Sequence, residues 1–352
     1  MLKKPLKIYE NHAIRYILVL FFVISFPLIT LGQKRSFRIL SYNVENLFDT
    51  CHDAHFDDHE FLPQADKKWN SWRYWKKQGD LSRTIAAASG ASPVELIALC
   101  EVENDTVVRD LAKRTKLYRM GYEYLVTQSR DNRGVDVALL YQPERFRVLK
   151  DTALRIPLDK DYGRYTRDIY HISGRLPNAD TLDVLVNHWP SRRGGTKTTE
   201  DFRFSVASFL RDYADSLMAV RRNPKLVFVG DFNDEYSNRS IREGLGATPE
   251  NVKIESPYVV LSAKLKGKNG VRGTYKYRGK WNQLDQIIVN RGLLDCSKKV
   301  HTSASYCRIL TFPFLLETDE THGGVKPRRT YLGPIYKGGV SDHLPLLLEI
   351  KW

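Results

Sequence analysis

GGVSDHLPLLLEIKW, residues 338–352, closes the chain. Residues 344–350 are apolar except for Pro345 and Glu349, which reads as a buried β-strand. Asp342 and His343 stand at its mouth, behind a Gly-Gly pair and a Ser that suit a tight turn. A loop at a strand end is also where a rigid sheet fixes catalytic groups. The rest of the chain decides between a turn and a site.

Working outward, the same pattern recurs in FRILSYNV (37–44), ELIALCEV (95–102), VDVALLY (135–141), TLDVLVNHW (181–189), KLVFVGDF (225–232) and QLDQIIV (283–289). Each is short and rich in Val, Ile, Leu or aromatics, as strands are. Two longer segments, 72–88 and 202–222, carry apolar residues at helical spacing. Strands and helices mixed in one continuous chain predict an α/β or α+β domain over 36–352, with helices packed on sheets. The chemistry-bearing residues gather at the strand ends: Asn43 and Glu45, Glu101 and Glu103, His188, Asp231 and Asn233, Asp285, and the pair Asp342-His343. One such pair means a turn; this many together predict a convergent site.

The chain has 352 residues, 42% of them hydrophobic and 27% charged, which is a globular composition. Four basic residues and one acid in 1–32 leave +11 of the net +14 to the remainder. That excess favours anionic partners without choosing among nucleic acid, phospholipid head groups and small phosphates. Residues 1–16 are basic and 17–31 carry no charge, followed by Gly32 and polar residues. This is the pattern of a cleaved secretory signal, with an uncleaved membrane anchor as the alternative, and under either the body is exported. No Cys follows the apolar run, which disfavours a lipid anchor. Cys51, Cys100, Cys296 and Cys307 have no CxxC spacing, so a structural zinc site is disfavoured; in an exported protein, Cys296–Cys307 is the candidate disulfide, with buried free thiols as the alternative.

The site inventory is rich in oxygen donors. Carboxylates and amides without a thiolate suit Mg²⁺, or Mn²⁺ or Ca²⁺, rather than zinc. Glu101 with Asn43 or Glu45 beside it could supply such a site. A His paired with a carboxylate, as His343 with Asp285, turns water into a nucleophile. Metal, base and amide donors together read as metal-assisted hydrolysis of a phosphoester.

SYNVENLFD, ALCEVEN, SRDNRGVDVALLY, VNHWPSR, VGDFND, LDQIIV and GGVSDHLP, in that order from 37 to 350, resemble the motifs of the endonuclease/exonuclease/phosphatase superfamily. The resemblance implies the DNase I-like fold, in which two packed mixed β-sheets flanked by helices form a four-layer sandwich. It implies a divalent-metal-dependent phosphoesterase. Asn43 and Glu45 match the first metal-site motif and Glu101 the metal-binding Glu. Asp342 completes the metal group. His188 matches the residue near the scissile phosphate, Asp231 and Asn233 the pair that orients nucleophile or phosphate, Asp285 the carboxylate behind the catalytic His, and His343 the general base. Two positions depart from the family: Cys100 stands where Gln is common, and Asn187 directly precedes His188 where many relatives have Asn-x-His.

Other features have plainer readings. Glu103 reads as a charged loop residue. Arg192 and Arg193 are candidates for phosphate contact or a solvated basic turn. CHDAHFDDHE (51–60) could bind a transition metal, but its spacing matches no tight ligand set, so a polar loop is expected. Trp69, Trp72 and Trp75 could stack on bases, but a helix stripe packed on the core is expected. The basic, Tyr-containing segment 327–339 either lines a substrate groove or only positions Asp342. The expected function is an exported metal-dependent phosphodiesterase, foremost a nuclease, with a nucleic-acid substrate and no obligate protein partner. A sphingomyelinase-like or small-phosphate enzyme and an inactive binding protein are the alternatives.

Overall fold

Period-two alternation in the strand Leu226–Asp231 splits its side chains between two cores. Val227 and Val229 enter one cluster, Leu226 and Phe228 the other. The strand is buried throughout because both of its faces are covered, which is why its sequence is a continuous apolar run. The computed structural model describes residues 36–158, 165–252 and 256–352, so the expected signal or anchor over 1–32 lies outside the described residues. Residues Phe37–Trp352 form one compact unit.

Thirteen strands make the two large sheets: β1 Ser36–Leu47, β2 Leu96–Val102, β3 Glu123–Val126, β4 Asp136–Tyr141, β5 Arg147–Leu154, β6 Ile169–Arg175, β7 Thr181–His188, β8 Leu226–Asp231, β9 Ala247–Pro249, β10 Tyr258–Val260, β11 Asp285–Asn290, β12 Cys307–Ile309 and β13 Leu346–Lys351. The first sheet has the order β12-β13-β1-β2-β4-β3 and the second β5-β6-β7-β8-β11-β10-β9. Both are mixed: β1–β2 and β7–β8 are parallel, while β2–β4 and β8–β11 are antiparallel.

The larger core lies between the sheets, joining Ile39, Tyr42, Ala98 and Leu139 of the first to Val184, Val186, Val227, Val229, Ile287 and Val289 of the second. Helix α1, Ser71–Ser89, brings Tyr74, Leu81, Ile85 and Ala88 into the same cluster. Helix α2, Glu200–Val220, covers the other face of the second sheet with Val206, Leu210, Ala214 and Leu217 against Leu185, Phe228 and Ile288. The result is the expected two-sheet sandwich flanked by helices. Burying each of the Val, Leu, Ile and Phe side chains contributes roughly 1.5–3 kcal/mol relative to leaving it exposed.

Two expectations are corrected. The Trp residues do not form a buried stripe: Trp69 precedes α1 and is buried, whereas Trp72 is 66% and Trp75 37% exposed. The helix starts at Ser71, capped by Asn70 accepting from the Arg73 N–H, and that phase turns Tyr74 inward instead. Cys296 and Cys307 form no disulfide, since Cys307 is buried on β12 while Cys296 is exposed, and all four thiols are free.

Candidate active site

Strand register builds the site. His188 pairs with Asp231 across the parallel β7–β8 edge, and Asp231 pairs with Asp285 across the antiparallel β8–β11 edge. Register partners on adjacent strands share a face, so three strand-end residues fall in one row. On the opposing sheet, Asn43 pairs with Cys100, and the ladders break just beyond: the β1–β2 register shifts between Asn43 and Leu47, and the β2–β4 register between Cys100 and Val102. Such bulges re-aim side chains. Glu45, Asn46, Glu101 and Asn233 all adopt positive φ (53°, 50°, 65° and 51°). Left-handed backbone at non-glycine residues is strained and concentrates at functional sites.

The row and the bulges meet. Asn43 Nδ2 donates to Glu101 Oε1 at 3.2 Å and to Asp231 Oδ2 at 3.1 Å, tying the sheets together. The Asn46 N–H donates to Glu101 Oε2 at 2.9 Å. His343 Nδ1 lies 2.7 Å from Asp285 Oδ2, and its Nε2 lies 3.9 Å from Asp231 Oδ2. His188 Nε2 lies 3.8 Å from Glu101 Oε1 and 3.9 Å from the same Asp231 oxygen. The Asn233 N–H donates to Asp231 Oδ1 at 2.8 Å, and its side-chain amide donates to the Trp189 carbonyl. Asn43, Asp231, Asp285, His188, Asn233 and His343 are all buried.

Burial and crowding set the charges. Burial pushes the Asp231 carboxyl up to about 7, with Asp285 and Glu101 adding to the rise against His343 and the Asn233 N–H. Burial also opposes ionisation of Glu101, but Arg133, His343 and its hydrogen bonds from Asn43 and Asn46 outweigh it and hold the carboxyl below its usual value. His343 is pulled down by burial, yet Asp285 and Asp231 carry it well above the ordinary imidazole value. His188 goes the other way, lowered by burial and by Arg167, Arg133 and His343, so it is neutral.

Glu45 and Asp342 sit in an adjoining network. Glu45 accepts from the Thr330 and Tyr331 N–H groups at 2.6 and 3.3 Å. Arg329 donates to Asp342 Oδ2 at 2.7 Å and lies 3.8 Å from Glu45 Oε1. Buried Lys77 donates to Thr330 Oγ1 and the Val340 carbonyl. Burial and Asp342 push Glu45 up to about 7, against Lys77 and Arg329. Thus segment 327–339 is bonded to the candidate metal residues. Arg192 is engaged by the Asn233 carbonyl, Asp234 and Asn238, while Arg193 is exposed.

Sequence reasoning missed several neighbours. Tyr275 lies against the His343 ring, with centroids 4.9 Å apart. Ser341 Oγ donates to the Asn43 carbonyl and accepts the His343 N–H, fixing the loop that carries the base. Arg133 donates to Asn46 Oδ1, and buried Arg167 donates to the His188 and Trp189 carbonyls and to Asp131. Arg133 lies within the SRDNRG motif, which is the sequence signal for it. Two sequence departures have structural accounts: Cys100 is buried with Sγ 3.2 Å from the Asn187 carbonyl, and Asn187 is spent on Leu185 and Trp189. Glu103 is a correction. It is buried, not a solvated loop residue, because its carboxylate accepts the Asp49 N–H at 2.6 Å.

A sequence model of the Endonuclease/Exonuclease/phosphatase family matches residues 38–352. The chain belongs to that family. No curated protein sequence matches it. Among solved structures, it is similar to humanized D. rerio TDP2 at 14% identity and TM-score 0.56, covering 91% of this chain and 100% of that one. An endonuclease/exonuclease/phosphatase family protein from Bacteroides thetaiotaomicron aligns at 13% identity and TM-score 0.56, covering 90% and 97%. D. rerio TDP2 complexed with single-strand DNA product aligns at 13% identity and TM-score 0.55, covering 90% and 99%. At these identities the likeness establishes the fold. Family membership supports a phosphoester hydrolase.

The donor chemistry fits the divalent cation expected of the family. Glu101 is held ionised, and buried Asp285 Oδ1 has no hydrogen-bond partner among the described residues. Asp231 and Glu45, both pushed up to about 7, mark an excess of buried negative charge that a hard cation relieves.

Proposed function

We propose that this family member is an exported, divalent-metal-dependent phosphodiesterase, acting foremost on nucleic acid. The observation that carries the chemistry is His343, held through Nδ1 by Asp285 with Nε2 facing the Asp231–Glu101–Asn43 cluster. The Asp285 carboxylate fixes the tautomer and stabilises the imidazolium, and because Asp285 and Asp231 carry His343 above the ordinary imidazole value, Nε2 takes a proton from water once positive charge at the cluster offsets theirs. Asp231 and Asn233 orient that water. Neutral His188 donates a hydrogen bond to a phosphate oxygen, and Arg133 adds positive charge at the mouth. Glu101 would hold Mg²⁺, with Mn²⁺ or Ca²⁺ as substitutes; Asn43 serves by orienting Glu101 through its side-chain N–H while its amide oxygen accepts the Glu45 N–H, and Asp342 and Glu45 add to the field. Glu45 does so indirectly, since both its oxygens already accept backbone N–H groups. When bound, the cation supplies Lewis-acid neutralisation of phosphate charge.

The +11 balance of residues 33–352 supports a nucleic-acid substrate, because backbone phosphate is bound through Lys and Arg. Arg192 and Arg193 belong to that basic surface, Arg192 as the holder of the Asn233 loop. One observation favours a lipid-directed enzyme instead: Leu332 and Ile335 are 51% and 61% exposed on a hairpin whose base is bonded to Glu45. Export rests on the basic 1–16 and uncharged 17–31 segments.

The test is to incubate purified protein and Mg²⁺ with supercoiled plasmid, RNA and sphingomyelin vesicles, using EDTA and His343→Ala as controls. Nicking that disappears in both controls supports the nuclease reading. Head-group release with intact nucleic acid moves the enzyme to lipid. Equal activity in His343→Ala overturns the assignment of the base.

A further inference from the structure

Residues 48–70 connect β1 to α1 as a long segment without strands. Loops of that length inside a compact domain need something to hold them. CHDAHFDDHE lies in this loop, and folding brings its ligating groups together. His52 Nδ1 lies 2.5 Å from Asp58 Oδ1, and the His52 and His59 rings stack with centroids 4.4 Å apart. One ligand atom from each of His52, Asp58 and His59 lies within 4.8 Å of the others. Asp58 is buried and accepts the Asp53 N–H at 2.7 Å, while both imidazoles are exposed.

An ordinary loop role accounts poorly for this. Asp58 occupies the N-cap of the short helix His59–Phe61, yet its side chain makes no capping bond there. Its carboxylate is turned towards His52 instead. The stacking at 4.4 Å keeps the two imidazoles side by side, so that one nitrogen of each and an Asp58 oxygen lie within 4.8 Å of one another at the ring edges, where an ion would be held.

We propose that His52, Asp58 and His59 form a second metal site, separate from the catalytic cluster, for a late first-row divalent cation of the Zn²⁺ type. Two imidazole nitrogens and one carboxylate oxygen are the donors that Zn²⁺ takes, with solvent completing the tetrahedron. That set differs in kind from the oxygen donors around Glu101, which suit a hard cation. The folded loop also shows what the ion would do. Asp57 donates its N–H to the Asn132 carbonyl at 2.8 Å, and Phe56 packs so closely on Gly134 that a Cβ there would meet it at 2.9 Å. Between these contacts lies Arg133, which donates to Asn46 beside Glu101. The ion therefore clips the 48–70 loop onto the segment that carries Arg133, making His52, Asp58 and His59 positioning residues for the active-site rim.

Spacing alone hid this site. The His and Asp positions 52, 58 and 59 match no regular ligand motif, and only the turn at 53–56 brings His52 back onto Asp58.

The test uses the full chain, stripped of metal and titrated with Zn²⁺ against a chromogenic chelator. It is repeated on His52→Ala/His59→Ala and on Asp231→Asn/His343→Ala, the latter removing the other ligand cluster. A tight component is expected in the wild type and in Asp231→Asn/His343→Ala, weakened more than about 100-fold in His52→Ala/His59→Ala, beyond the loss caused by outer-shell changes. Its absence from the wild type, or its persistence in His52→Ala/His59→Ala, overturns the proposal. A second measurement needs no variant. Histidine carbethoxylation mapped by mass spectrometry should show Zn²⁺ protecting His52 and His59, and equal labelling with and without Zn²⁺ overturns the site even if the double variant fails to fold.

Discussion

His343 Nδ1 and Asp285 Oδ2 are 2.7 Å apart, and that single contact aims the opposite ring nitrogen at Asp231. The two residues reach each other from different directions: Asp285 begins β11, whereas His343 lies in the loop before β13. If His343 is the base and Asp285 its orienter, His343→Ala should lower single-turnover cleavage by roughly two to four orders of magnitude. Asp285→Asn should approach that loss while leaving KM nearly unchanged, since the amide can hold the ring but favours the wrong tautomer. Near-wild-type rates in Asp285→Asn would sink the pairing as a catalytic device.

Chelation gives the second prediction. EDTA should abolish cleavage and added Mg²⁺ restore it, because the ionised Glu101, oriented by the Asn43 side-chain N–H, offers hard carboxylate oxygen. Glu101→Gln removes the charge but keeps the shape and the contact with Asn43. It should need at least about 10-fold more Mg²⁺ for half-maximal rate, the lower end of what even outer-shell changes cost. An unchanged Mg²⁺ dependence would place the cation elsewhere.

The contrast between the base and its surroundings shows what the sequence made legible. His343, Asp285, Asp231 and His188 could be read because each adjoins a doubly buried strand, whose apolar run announces itself. Tyr275, Ser341 and Arg133 come from loops, whose placement depends on long-range packing that no local pattern records. The positive φ of Glu45, Asn46, Glu101 and Asn233 is equally invisible, because only tertiary contacts hold non-glycine residues there. Strand β5 is illegible for another reason. RVLKDTAL is largely exposed at the sheet edge, so it has no apolar run, and its conformation comes from pairing with β6.

At the other end of the second sheet, Asp183 gives a prediction about stability. It accepts from Arg221 at 2.7 and 2.9 Å and lies 3.0 Å from His171 Nε2. Burial opposes its ionisation, but these partners and Ser173 prevail and lower the carboxyl to about 2 from 3.8. A depressed folded value means the stabilisation is complete above about pH 4 and is lost as pH falls towards 2, and it amounts to about 2 kcal/mol. Urea unfolding of the wild type and Asp183→Asn should therefore differ by at least that much at pH 6, and the gap should narrow steadily below pH 4. A gap independent of pH would show that packing, not charge, is what Asp183 supplies.

The last prediction concerns the backbone that sets the His188–Asp231 row. Gly230 has φ +128°, and a Cβ added there would lie 1.9 Å from the Asn187 carbonyl oxygen, with Asn187 C at 2.9 Å and N at 3.0 Å. Those are main-chain atoms of the neighbouring parallel strand, in register with Gly230, so no side-chain rotation relieves the clash. Gly230→Ala must part β7 from β8 just where His188 and Asp231 are aligned. It should cost more than about 3 kcal/mol, combining overpacking with a disallowed conformation, and the remaining folded protein should cleave more slowly. Gly79 is the matched control. It lies on the exposed side of α1 with nothing within 4 Å of a built Cβ. Gly79→Ala should stabilise by roughly 0.5–1 kcal/mol, as alanine does in a helix interior. Chemical denaturation of the two variants side by side reads out both signs, and a Gly230→Ala protein as stable as the wild type would mean that the close approach of β7 and β8 is not what fixes the site.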